Sequence, residues 1–150
     1  MTDGIGPAGR ADVPAMCALL GELFAQEHEF TPDPQRQRRG LEAILSDPAC
    51  GCLLVARERG EVVGMVNLLF SISTALGAPV ATLEDLVVSA AARGRGHGKA
   101  LLAAALETAK ERGCLRISLL TDHDNHRAQA LYGGHGFTLS TMRPMRRRLD

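Results

Sequence analysis

The sequence predicts an α+β domain built on a mixed central sheet flanked by helices, and three observations carry that reading. Apolar residues recur at helical spacing before residue 46. Between Cys52 and Ser89 the apolar runs are strand-like and are separated by turn residues. After Ser89, helical and strand-like stretches alternate, so strands that first meander are followed by strands reached through helices.

Taken in chain order, Asp12 is a candidate N-cap, and Val13, Met16, Cys17, Leu20, Leu23 and Phe24 define a first helix to about Gln26. The polar stretch Glu27 to Pro34 ends it. Leu41, Ile44 and Leu45 suggest a shorter second helix that stops before Asp47-Pro48. Leu53 to Ala56 and Val62 to Phe70 are strands joined through the hairpin signature Glu58-Arg59-Gly60-Glu61. A loop, Thr74 to Pro79, leads to a strand at about Val80 to Ser89. The Gly-rich turn Arg93 to Gly98 opens a helix from Lys99 to Arg112, with Gly113 at its C′ position and Leu101, Leu102, Ala105, Leu106 and Ala109 as its core stripe. Arg116 to Thr121 reads as a short buried strand and Arg127 to Tyr132 as a short helix. Phe137 to Leu149 reads as a terminal strand or hairpin broken at Pro144.

The chain has 150 residues, 45% hydrophobic and 23% charged, which fits one domain over 1–150. Seventeen basic and seventeen acidic residues cancel to a formal charge of +0, so no global field draws the protein to nucleic acid or to an anionic membrane. The longest apolar run, Ala100 to Leu106, is far short of the roughly 20 residues that span a bilayer. No hydrophobic stretch occurs in Met1 to Pro14, so the expected compartment is the cytoplasm. Cys17, Cys50, Cys52 and Cys114 read as free thiols, because Cys50-Gly51-Cys52 is too tight for a Cys-x-x-Cys pair. Asp122, His123, Asp124 and His126 read as a turn and helix cap rather than a metal loop, and no metal is expected.

The turn Arg93-Gly94-Arg95-Gly96-His97-Gly98 lies between a strand and a helix, where glycines let the backbone approach a ligand and the first helical N–H groups point outward. Such a turn suits phosphates, and Arg93, Arg95 and Lys99 add positive charge. A P-loop would place Ser or Thr after Lys99, where this chain has Ala100. A dinucleotide fingerprint would need Gly-x-Gly-x-x-Gly near the start of a βαβ unit, and the spacing differs.

Arg93-x-x-Gly96-x-Gly98, followed by Asn125-x-x-Ala128-x-x-Leu131-Tyr132-x-x-x-Gly136-Phe137, resembles the GNAT superfamily of N-acetyltransferases over nearly the whole chain. The resemblance implies the acetyltransferase fold, acetyl-CoA as donor and direct transfer of the acetyl group to an amine. It implies that Arg93, Gly94, Arg95, Gly96, His97, Gly98 and Lys99 cradle the pyrophosphate. It further implies that main-chain groups of Leu86, Val87 and Val88 pair with the pantetheine arm, that Asn125 holds the same arm or the adjoining backbone, and that Tyr132 sits beside the thioester sulfur. Ser73-Thr74-x-x-Gly77-x-Pro79-x-x-x-Leu83-Glu84-Asp85-Leu86-x-Val88, with Glu27-x-Glu29-x-x-Pro32-Asp33, is similar to the diamine (polyamine and thialysine) branch. That likeness implies a small amine acceptor bound by Glu27, Glu29, Asp33, Glu84 and Asp85, and a homodimer.

The chemistry sets its own requirements. An alkylamine with pKa near 10 must lose a proton before it attacks a thioester, which near neutral pH costs about 3 to 4 kcal/mol. Glu84 is the candidate base: strict strand alternation puts it on a face with Leu86 and Val88, and Asp85 on the other with Val87. The competing reading of Glu84 is a satisfied ion-pair partner. Tyr132, the only tyrosine in the chain, can protonate the leaving thiolate, although a helical tyrosine alone reads equally as core. The leading function is a small-molecule amine N-acetyltransferase. A protein N-terminal or lysine acetyltransferase and a non-catalytic acyl-CoA-binding regulatory module are the alternatives on the same fold.

Overall fold

In the computed structural model, which describes residues 3–150, five strands form one sheet in chain order: β1 (Gly4–Pro7), β2 (Gly51–Glu58), β3 (Glu61–Ser73), β4 (Ala78–Val88) and β5 (Ile117–Leu119). The first four pair antiparallel. β5 joins β4 in parallel, a connection that needs a crossover, and α3 (His97–Glu111) supplies it. Alternation along the strands divides the core into two layers. Leu53, Val55, Met65 and Val87 face α1 (Val13–Gln26) and α2 (Pro34–Ser46), meeting Val13, Met16, Leu19, Leu20 and Leu41. Leu54, Ala56, Val66, Leu68 and Leu83 face α3 through Leu101, Leu102, Ala105 and Ala109, with Leu131 and Tyr132 of α4 (His126–Gly134) packed at the edge of that layer.

Several boundaries differ from the sequence reading for identifiable reasons. β1 escaped notice because four residues containing two glycines and a proline carry no periodicity. α2 starts at Pro34, well before its apolar stripe, because Asp33 accepts hydrogen bonds from the N–H groups of Gln35 and Arg36 and proline occupies the first turn. Asp12 flanks α1 but does not cap it; its carboxylate accepts from Gly9 N–H and from Arg57. The expected terminal strand is absent: no strand forms within 137–150. There Leu139, Met142, Met145 and Leu149 recur every three or four residues rather than every two, Pro144 lacks a donor, and all four apolar side chains are exposed.

One irregularity shapes everything at the open end of the sheet. Asn67 pairs with Glu84 and Met65 with Val87, so Asp85 and Leu86 together oppose the single residue Val66. This is a β-bulge, and Asp85 occupies it with φ 58, a left-handed conformation that aspartate tolerates for about 1 to 2 kcal/mol. The bulge overturns strict alternation. Glu84 stands across from Asn67, on the face of Met65 and Val87, while Leu86 and Val88 pack toward α3. Beyond Leu83, β4 also loses its neighbour on the other side, because β5 ends at Leu119.

The α1 layer is anchored by a two-pronged ion pair. Arg57 Nη1 and Nη2 donate to Asp12 Oδ1 and Oδ2 at 2.9 and 2.8 Å, with side chains only 14% and 9% exposed. The Arg57 hydrogen bonds hold the Asp12 carboxyl below its usual range. Arg57→Met would strand a buried carboxylate, and we expect a loss of about 3 kcal/mol by urea denaturation at pH 7. The pair's contribution is complete above the ordinary Asp range near pH 4 and disappears as pH falls through the lowered folded value. The difference between wild type and variant therefore shrinks at pH 3, and an equal difference at both pH values would contradict this role.

Candidate active site

Where β4 and β5 part, a cleft of ≈ 370 Å³ opens between the β4 end, the N-terminus of α3, α4 and the last turn of α1. Its walls include Leu86, Val87 and Val88, the turn at Arg93, Gly94, Gly96, His97, Gly98 and Lys99, then Asn125, Ala128, Leu131 and Tyr132, with Leu23 and Gln26 from α1. Most of the residues expected around the pantetheine and pyrophosphate thus converge on one cavity.

At the turn, Gly96 is the N-cap of α3 with φ 84 and no side chain to bond the first helical N–H groups. A Cβ built at Gly94 or Gly96 meets nothing within 4 Å, so the concavity is open on the side where those donors point. A diphosphate fits this cradle: free backbone donors, the positive end of the α3 dipole, and Lys99 and Arg127 nearby. Arg93 Nε donates to Val88 O at 3.2 Å, fastening the turn to the end of β4. Arg95 does not line the cleft. Its guanidinium reaches Glu58 Oε2 at 2.5 Å, and His97 Nε2 meets Glu58 Oε1 at 2.7 Å. The His97 hydrogen bond, with the Arg95 charge, holds Glu58 below its usual range. Glu58 had been read only as part of a hairpin turn; 37 and 39 residues separate it from its partners, so no local pattern could reveal the contact.

Asn125 caps α4, its Oδ1 accepting from Ala128 N–H at 3.1 Å. Its amide NH₂ remains at the cleft wall. Tyr132 packs its ring edge-on to Phe137 at 5.8 Å and is largely buried at the cleft. Burial, and secondarily the charge of Glu27, push its phenol above the ordinary value, so it carries its proton at neutral pH.

The expected acceptor-binding acids divide into two groups. Glu27, the C-cap of α1, interacts with Asp85, Asp122, Glu29 and Glu84, and burial reinforced by these charges raises it to about 7. Asp85 is raised to about 6, chiefly by burial and then by Glu84. Glu84 is exposed. Glu29 is also exposed and pairs with Arg146 at 2.9 Å. Asp33 is occupied elsewhere as the N-cap of α2 and in a 3.5 Å contact with Arg36. Asp122 and Asn67 were not foreseen. Asn67, 3% exposed, donates from Nδ2 to Asp85 Oδ2 at 3.4 Å, while its buried Oδ1 has no partner, an omission that ordinarily costs about 1 to 3 kcal/mol. At the rim, His28 Nε2 meets Asp124 at 3.1 Å and ties the α1–α2 loop to the loop after β5; with Asp122 their ligating atoms lie within 4.8 Å of one another.

Comparison with known proteins adds family to geometry. Residues 14–137 match the acetyltransferase (GNAT) family. The chain is similar to the uncharacterized N-acetyltransferase YhfO of Bacillus subtilis, 33% identical over 127 residues that cover 83% of this chain and 85% of that one. It is 32% identical over 132 residues to the aminoalkylphosphonate N-acetyltransferase of Salmonella typhimurium, covering 88% and 82% of the two chains. An acetyltransferase structure from Trypanosoma brucei superposes with a TM-score of 0.76 at 25% identity, covering 99% of this chain and 100% of the other.

Acetyl-CoA is expected to raise the thermal midpoint of the wild type, since it binds the folded state alone. Gly96→Asp, a residue that tolerates the left-handed backbone, sets a carboxylate in the open cradle and removes that shift. Arg93→Ala weakens it less, because the backbone donors persist. Differential scanning fluorimetry with millimolar acetyl-CoA decides; an undiminished shift in Gly96→Asp would place the phosphates elsewhere.

Proposed function

The chain belongs to the acetyltransferase (GNAT) family and is an acetyl-CoA-dependent N-acetyltransferase, and we propose that its acceptor is a small cationic amine: a diamine, a polyamine or a lysine-like amino acid. The observation that supports this acceptor class is that Glu27, Glu84, Asp85 and Asp122 lie close enough for Glu27 to feel the charge of the other three, beside Gln26 and Leu86 of the cleft wall. Partly buried carboxylates with like-charged neighbours, as Glu27 and Asp85 are, are relieved by an incoming ammonium, and each charge-assisted hydrogen bond contributes roughly 1.5 to 3 kcal/mol. Glu29 and Asp33 belong to the same reading as the outer acids of the α1–α2 loop.

When bound, acetyl-CoA supplies an acetyl group activated as a thioester. The turn from Arg93 to Lys99 holds its phosphates, and the main chain of Leu86 to Val88, on the side where β5 no longer pairs, holds with Asn125 the arm between. One acid of the β4 pair, Glu84 or Asp85, accepts the proton that the acceptor must lose. Tyr132, buried and protonated, gives a proton to sulfur as the C–S bond breaks. Orientation of amine against thioester supplies much of the remaining acceleration.

A cytoplasmic homodimer completes the proposal. β5 is an edge strand, and Leu115 and Leu120 beside it, 64% and 60% exposed, share one groove with Leu139 and Met142 of the tail. A second copy covering this surface would remove an apolar edge that a monomer leaves open.

Tyr132→Phe is expected to lower kcat about 10²-fold while acetyl-CoA affinity stays within about twofold, measured by thiol release and by titration calorimetry. Full activity would reduce Tyr132 to packing. The paired change Glu27→Gln and Glu29→Gln is expected to raise KM for a diamine far more than for a monoamine of equal length, because only the distal ammonium loses its partner. Equal effects on the two amines would contradict the cationic-acceptor assignment.

A further inference from the structure

Among the described residues, Asn67 Oδ1 is the buried side-chain oxygen left without a hydrogen-bond partner. It sits beside a second anomaly, the left-handed Asp85 in the β4 bulge, and the two are joined by the Asn67 Nδ2 contact at 3.4 Å. Strain of this kind persists where the surroundings hold it and concentrates at functional sites. Glu84, the adjacent acid, lies across from Asn67 but is exposed to solvent.

We propose that Asp85, rather than Glu84, takes the acceptor's proton, and that Asn67 is the positioning residue that serves Asp85 in both of its charge states. This rests on the amine-acetyltransferase reading above and assigns the proton within it. An ionised Asp85 needs donors, and the amide NH₂ of Asn67 provides one. A protonated Asp85 becomes a donor itself and needs an acceptor; rotation of the Asn67 amide about its last side-chain bond presents Oδ1. The orphaned oxygen therefore has a use in the state that exists after proton transfer.

The step balances. R–NH₃⁺ gives one proton to the Asp85 carboxylate, and the freed nitrogen lone pair forms the C–N bond at the acetyl carbonyl carbon. The C–S bond breaks, sulfur leaves with its electron pair and takes the Tyr132 proton. The second nitrogen proton restores the Tyr132 hydroxyl, and Asp85 releases its proton to solvent, so the net products are amide, thiol and one proton. Asp85 is poised for this near neutral pH. Burial and Glu84 on its own strand raise it to about 6, and the group next to it from α1, Glu27, stands at about 7 under the influence of Glu29 and Asp122 as well. Tyr132 faces the same cluster from α4. These acids titrate as a coupled set, so the acid limb of the rate profile reports the cluster and the variants apportion it.

The test is the pH dependence of kcat/KM for a diamine in wild type, Asp85→Asn, Glu84→Gln, Asn67→Leu and the near-isosteric Asn67→Asp, with the Asp85 carboxyl carbon followed by NMR in the same proteins. Asp85→Asn is expected to lower kcat by about 10²-fold or more, whereas Glu84→Gln keeps the acid limb. Asn67→Leu removes a hydrogen bond to the charged form that is stronger than the one the amide offers the neutral acid, so the limb and the Asp85 carbon titration both move to higher pH by roughly one unit. A purely structural Asn67 would change thermal stability and leave both titrations in place, which overturns the proposal, as does loss of the acid limb in Glu84→Gln with its retention in Asp85→Asn. If Asn67→Leu fails to fold, Asn67→Ala carries the same test, with a shift in the same direction; the larger shift in Asn67→Asp, where a like charge is added, checks only that the two side chains touch. Absence of thiol release from wild type with every cationic amine would contradict the functional reading instead, and the carbon titration would still decide the Asn67–Asp85 link.

Discussion

The bulge at Asp85 is the constraint on which the rest of the site depends. Inserting one extra residue opposite Val66 bends β4 away from the line that β5 would need to follow, and pairing with β5 stops at Leu83 and Leu119. A continuous parallel pairing would have consumed the main-chain groups of Leu86 to Val88. The gap leaves a cleft with Leu86, Val87 and Val88 in its wall. The same distortion turns two consecutive acids toward one face, which regular pleating forbids. Cleft and acidic cluster are thus two consequences of one inserted residue.

Electrostatics divides that cleft. One end is the glycine turn and α3 N-terminus, where Gly94 and Gly96 leave room and backbone donors remain free. Glu27, Glu84, Asp85 and Asp122 gather beside Gln26 and Leu86 of its wall, in surroundings that raise Glu27 to about 7. Tyr132 lines the cleft from α4 and feels the Glu27 charge. An anionic donor and a cationic acceptor would each find opposite charge in such a cleft and meet near a phenol that still holds its proton. Glu58 fits the same division: it draws Arg95 and His97 to the edge of the sheet, so the turn is braced from outside while its backbone faces the cleft.

The helices, the long strands and the phosphate turn were legible because each is written locally, in periodicity or in glycine spacing. Asp33-Pro34 has the residue types of a helix start but stands in a polar stretch, and the apolar stripe at Leu41 sets the start of α2 too late. The bulge was not legible. Read as a regular strand, Leu83-Glu84-Asp85-Leu86-Val87-Val88 puts one acid on each face, and the extra residue is visible only against the partner strand. For the same reason Asn67 and Glu58 were invisible as site residues, since their partners lie 18 and 37 to 39 positions away. The tail misled in the opposite direction: its apolar residues suggested a strand, but their spacing gives no common face and Pro144 interrupts any ladder.

The central claim is that the parted ends of β4 and β5 receive the acetyl-CoA arm along the main chain of Leu86 to Val88. A titration of ¹⁵N-labelled protein with acetyl-CoA, followed through the backbone amide resonances, addresses it directly. The account predicts that the largest shifts cluster at Leu86 to Val88 and at Gly94 to Lys99, with smaller ones at Asn125 and Tyr132. Shifts confined to the groove beside Leu115 and Leu120, with Leu86 to Val88 unmoved, would contradict it.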